Sequence, residues 1–224
     1  MIESLFEHSY LVKSIFAALL GSITAGIAGT YIVTRRMVFL SGGITHASFG
    51  GIGLGYFLGM NPVVGAALFG VSSALGIEYL SKRHDLKEDS AIGFLWAFGM
   101  ALGIIFVYLT PGYTPNLMSY LFGSMLTISD YDLIALAILT GVLLVFFIVY
   151  YRIILYISFD ESYARTFSRH VDKFKYILIV LVSLVIVLNI RIAGVVLVLS
   201  LLTIPPNIAM LFTLDFKKVI LGAV

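Results

Sequence analysis

The chain of 224 residues contains no cysteine, and Asp, Glu, Lys and Arg together make up only 12% of it. The first absence excludes disulfides, thiolate metal sites and iron–sulfur clusters. The second excludes a soluble domain of this size, which needs roughly a quarter charged residues to cover itself. A net charge of +2 is too small to argue for a nucleic-acid partner. Catalytic signatures are missing too. There is no G-x-x-x-x-G-K-[ST] loop, so the chain does not split ATP by the P-loop route, and there is no H-E-x-x-H or G-x-S-x-G motif. The acidic residues Glu78, Asp130 and Asp132 fall at span ends rather than paired at depth. The chain therefore reads as non-enzymatic, with transport or scaffolding as the remaining classes. Its first residues, MIESLFEHSY, lack the basic start of a cleavable secretory signal.

Apolar residues, at 60%, supply what is present. Runs reaching the ~20 residues that cross a bilayer predict seven spans, at 10–33, 38–59, 62–80, 91–110, 132–156, 176–190 and 192–213. The last two are joined by almost no loop. Alternating the spans puts every Lys and Arg except Lys13 and Arg191 on one side, which the positive-inside rule makes cytoplasmic. The expected product is an all-α, multi-pass helical bundle in a single domain, 1–224. The ending "VILGAV" opens another apolar segment too short to cross, so the reading is of a chain cut short. In the outer link, "NLMSYLFGSML" reads as a short interfacial or re-entrant helix. Pro205 and Pro206 are expected to break the hydrogen-bond ladder of the seventh span, with Thr203 and Asn207 lining a pathway at the kink.

Between Arg36 and Glu78 the one acidic or basic residue is His46. Ten residues beyond Arg36 is about 15 Å along a helix, near the bilayer midplane. Gly42, His46, Gly50 and Gly53 share one helical stripe, and Gly43, Ala47, Gly51 and Gly55 an adjacent one. Ser41, Thr45 and Ser48 flank the first. Such stripes serve close helix packing and also suit a path wall lined by Gly42, Thr45 and Gly50. Ionisable groups inside a membrane mark ion pathways, and imidazole is a ligand suited to zinc and, less selectively, to manganese or iron. His46 is thus either a hydrogen-bonded packing residue or the metal ligand of a transport path. His8, His84 and His170 read as solvated. Asp130 and Asp132 either draw cations to the outer mouth or cap the fifth span, and Glu88 and Asp89 cap the fourth.

Five stretches in order resemble the membrane subunit of ABC importers for zinc, manganese or iron: "VTRRMVFLSGGITHASFGGIG", "KEDSAIG", "LFGSMLTIS", "SFDESYA" and "AGVVLVLSLLTIPPNIA". The resemblance spans residues 10 to 213 and implies the type II ABC importer fold in a bacterial plasma membrane. It also implies a homodimer with the metal path at its interface, two cytoplasmic ATPase subunits and an external metal-binding protein. No cofactor is implied for the chain itself, only the transported metal. Segment 158–172 resembles the coupling helix that contacts the ATPase, through Phe159, Asp160, Glu161, Tyr163, Ala164 and Phe167. Where that family carries an Asp four residues before the His, this chain has Gly42. The loss of a hard oxygen ligand tilts the expected metal from manganese towards zinc. The alternatives are a permease for a metal chelate or siderophore, and an ATP-independent metal carrier.

Overall fold

The computed structural model describes residues 9–84, 88–112, 122–124 and 128–224, the side chains of 81–84, 88 and 89 excepted. The predicted re-entrant helix lies largely outside these residues, as does His8. Among the described residues there is no strand, and helices follow in the order α1 Ser9–Thr34, α2 Val38–Phe57, α3 Pro62–His84, α4 Glu88–Leu109, α5 Asp130–Val149, α6 Tyr151–Phe159, α7 Glu161–Phe167, α8 Val171–Phe212 and α9 Phe216–Ala223.

Local chemistry explains the tight turns. After α2 the N–H of Met60 donates to the Gly55 carbonyl and that of Gly59 to Tyr56, with Gly59 at φ 67°: a Schellman ending with glycine in the left-handed position. Asn61 then accepts the Val63 N–H, and Pro62 opens α3 where a missing N–H costs nothing. The end of α1 repeats the pattern, Met37 bonding Ile32 and Arg36 bonding Val33. Here Arg36 itself takes the left-handed conformation, at φ 58°.

Among the described residues five helices are long and apolar enough to cross a membrane: α1, α3, α4, α5 and α8. The expected second span is absent from that set because glycine and histidine lower its hydropathy. The fold compensates by enclosing it, with 14 of the 20 residues of α2 buried. On one side α4 runs parallel to it, Gly50 meeting Gly99 and Gly53 meeting Gly103; on the other, α3 brings Gly65 against Gly51 and Pro62 against Gly55. Backbones this close leave no room for a Cβ, which is the packing that small residues permit in membranes.

Two predicted boundaries are corrected. The fifth span ends at Tyr150, not at 156, and α6 continues as a separate amphipathic helix burying Ile153, Ile154 and Ile157. The sixth and seventh spans are α8, whose 42 residues include a reversal at Gly194 (φ 81°, ψ 162°) rather than at 191. Only glycine readily adopts that conformation. A straight helix of that length would measure ~63 Å, twice the hydrocarbon thickness. Both halves instead lie along α1: Asn189 packs on Gly21 and donates to Thr24 at 3.1 Å, while Leu202 packs on Gly29. Pro205 and Pro206 lie inside the second half of α8, where the helix continues although the ladder bonds they cannot donate are missing. Pro206 offers no N–H to Leu202, and that freed carbonyl rests on Gly29 of α1 instead.

Serine and threonine hydroxyls inside the bundle bond carbonyls of their own helices, whereas the buried Tyr31 hydroxyl has no partner among the described residues. Thr45 donates to Ser41, Ser48 to Ile44, Thr140 to Leu136 and Ser183 to Ile179, at 2.6–2.7 Å. Hydrocarbon offers no other acceptor. The segment "VILGAV" forms most of α9, capped by Asp215, which accepts from the N–H groups of Lys217 and Lys218. Phe216 of α9 packs against Tyr151 and Phe159, and its end lies on Gly26 of α1.

Candidate functional site

The His46 imidazole projects from α2 towards α4, on the stripe that also carries Gly42, Gly50 and Gly53. There it stacks on Trp96, ring centroids 4.0 Å apart and planes 14° from parallel. Its Nδ1 is buried and makes no hydrogen bond. A satisfied packing histidine bonds a neighbouring helix; this one does not. Among the described residues no three His, Asp or Glu side chains gather as a metal cage. At Gly42, where a carboxylate was the alternative, a Cβ would lie 3.1 Å from the Trp96 ring. Trp96, invisible to motif reasoning, is therefore the side chain that His46 meets.

The other predicted wall residues separate. Thr45 is fully buried with its hydroxyl bonded inside α2, and Gly50 is closed by the Gly99 backbone, so neither faces an open path in this structure. Both positions are consumed by close helix packing. Thr203 and Asn207 lie on the second half of α8, Thr203 donating to Leu199 at 2.8 Å and Asn207 Nδ2 to the Thr203 carbonyl at 2.7 Å. Asn207 is exposed on its helix.

At the outer end, Asp130 pairs with Lys13 at 2.7 Å. Asp132 closes a capping box with Ser129 and faces Arg191 at 3.8 Å. The two carboxylates thus meet the two basic residues assigned to the outer side. Of the two expectations for Asp132, helix capping is the one its geometry shows.

The cytoplasmic end is built around α7. Asp160 accepts the Tyr163 N–H at 3.0 Å and caps the helix, whose start carries Glu161. Ala164 is fully buried against the bundle, while Phe159, Tyr163 and Phe167 stand exposed. Tyr163 and Phe167 both set their edges on Tyr156, at 5.1 Å. Glu161 binds Lys175 at 2.9 Å, Arg165 at 2.8 Å and Arg35 at 3.4 Å. Lys175 reaches on to Glu78 at 2.6 Å, and Arg35 donates to the Ile157 carbonyl at the end of α6. Burial alone would push the Glu161 carboxyl up. The hydrogen bonds from Lys175 and Arg165, with the charges of Lys175 and Arg35, outweigh it and hold the group at about 2. This network joins the inner ends of α1, α3, α7 and α8. The sequence signal for it was the cluster of opposite charges at span ends, which spacing alone does not pair.

The ABC 3 transport family matches residues 7–224. The chain belongs to the ABC 3 transport family. It is a membrane permease rather than an enzyme. The permease is 38% identical over 218 residues to an uncharacterized membrane protein of Synechocystis sp., covering 97% of this chain and 77% of that protein. It is 32% identical over 222 residues to the manganese transport system membrane protein MntC of Listeria monocytogenes, covering 99% and 79%. Among solved structures it resembles PsaBC from Streptococcus pneumoniae with a TM-score of 0.86 at 30% identity, over 99% of this chain and 80% of that one.

Proposed function

We propose that this permease is the membrane subunit of an ATP-driven importer for a divalent transition-metal ion, which passes beside His46. The observation that carries this reading is the His46 imidazole itself: mid-span, with a buried nitrogen that no protein group binds, in a family of transporters. A buried polar atom without a partner in hydrocarbon is costly unless something else visits it. Relatives named as manganese transport proteins support a metal cargo. The donor set at His46, imidazole without carboxylate, favours zinc over manganese or iron.

A homodimer places two such paths face to face. The exposure of α4 supports this: most of its residues lie open while α8 is mostly buried, so the helix that carries Trp96 is open to a second copy. ATP is split by separate cytoplasmic subunits. The exposed aromatic edge Tyr163–Phe167 on α7 supports that docking, held stiffly by the Asp160 cap and the Glu161 network. An external binding protein delivers the ion, and Gly42, Thr203 and Asn207 flank its route.

The test is uptake of radiolabelled zinc and manganese by the reconstituted transporter. His46→Ala is expected to abolish uptake of both while the complex still assembles, as read by size-exclusion chromatography. Unchanged uptake by assembled His46→Ala transporter would refute the route.

A further inference from the structure

We propose that Trp96 sets the metal preference of the His46 site by standing where a carboxylate at position 42 would reach; this deepens the reading that metal passes His46 and rests on it. Position 42 lies one helical turn before His46 on the same face of α2. A Cβ there would meet the Trp96 ring at 3.1 Å from Cζ3, with Cη2 and Cε3 at 3.7 and 3.8 Å. To admit a side chain at position 42 the indole has to give way by a few tenths of an ångström. The same indole lies flat over His46 at 4.0 Å. Gly42 and Trp96 are thus one unit: the glycine leaves room for the indole, and an acid at position 42 would have to displace it.

The chemistry of the exchange is definite. Imidazole coordinates in its ring plane, so a ring stacked on its face leaves the coordinating edge free and holds it in one direction. Indole brings a single N–H donor and no acceptor, so it contributes no oxygen to an incoming ion. It also covers space in which water would stand. A site offering imidazole beside an apolar plate retains zinc, for which nitrogen suffices, and discriminates against manganese, which draws on carboxylate and water oxygens. Exposed at 38%, Trp96 is reachable from the open face of α4 along which we route the ion.

The experiment compares parent, Gly42→Asp, Trp96→Ala and the double variant Gly42→Asp/Trp96→Ala in the reconstituted transporter with its ATPase, reading the ratio of zinc to manganese uptake. Gly42→Asp alone is expected to lose at least tenfold in uptake of both metals, because its carboxylate meets the indole. The double variant is expected to recover uptake, with the ratio moved at least tenfold towards manganese. A double variant that transports with the parent ratio overturns the proposal. Should the aspartate variants fail to assemble, Trp96→Phe and Trp96→Ala decide: phenyl keeps the plate and the parent ratio, whereas Ala admits water and moves the ratio at least threefold towards manganese. Equal ratios in those two overturn the proposal as well. Because Trp96 is the chain's one tryptophan, its emission in nanodiscs reports directly on zinc at His46. Zinc is expected to alter it in the parent and not in His46→Ala. His46→Ala transporting normally defeats the metal route itself; a dead His46→Ala with an unmoved ratio in the double variant defeats the Trp96 assignment alone.

Discussion

Glu161 receives three cations, each from a different stretch of chain, and so carries information that no single helix holds. Its carboxyl is held at about 2, below the ordinary 4.5, by hydrogen bonds and charges that overcome the burial pushing it up. A folded-state value below the unfolded one stabilises above the unfolded value, and that stabilisation is lost as pH falls from about 4.5 towards 2. The network is therefore insensitive to pH through the physiological range. Replacing Glu161 by Gln removes the charge and leaves Lys175 with Glu78 alone. We expect the variant to melt several degrees below the parent at pH 7, a loss of about 1–2 kcal/mol for a partly exposed pair network. The gap should narrow as both proteins are taken towards pH 3, as checked by thermal melts in detergent. A gap that stays constant with pH would show that Glu161 acts by packing rather than by charge.

At the scale of elements, α2 is held between α3 and α4 by backbone contact, and the glycines of α2 and α3 differ in what surrounds them. Gly51 faces the carbonyl of Gly65, whereas Gly76 on α3 has nothing within 4 Å of a built Cβ. Gly51→Ala has to push two backbones apart and is expected to destabilise by about 1–3 kcal/mol, as overpacking does. Gly76→Ala meets open space and is expected to be neutral, or stabilising by up to about 1 kcal/mol through helix propensity. Melting temperatures of the pair, measured side by side, check this contrast. It separates the packing role of the glycine stripe from any role in transport, since Gly51 faces away from His46.

Across the whole molecule, charge sorts to the two ends. Lys13, Asp130, Asp132 and Arg191 gather at one, and Arg35, Glu78, Glu161, Arg165 and Lys175 at the other. That division agrees with the orientation in which the basic segments are cytoplasmic. The absence of native cysteine makes the arrangement directly testable. Tyr131→Cys, at a residue 86% exposed beside Asp130, is expected to react with a membrane-impermeant maleimide on intact cells. Arg169→Cys, beyond α7, is expected to react only after permeabilisation. The reverse pattern would invert the orientation.

Patterns that depend on neighbours along one helix were legible in the chain alone. Apolar runs, the skew of Lys and Arg, the cap at Asp160 and the stripe through Gly42, His46, Gly50 and Gly53 all follow from local spacing and bilayer thickness, and all recur in the fold. Pairings between distant segments were not, because side-chain chemistry permits many partners and only the packed backbones choose among them. So Gly194 rather than residue 191 reverses α8, the Leu202 carbonyl finds Gly29, and Thr45 and Gly50 are spent on packing. Gly42 shows the difference most plainly. The sequence by itself determined that no carboxylate stands one turn before His46; only the tertiary structure, by laying α4 parallel to α2, decided that an indole fills the place.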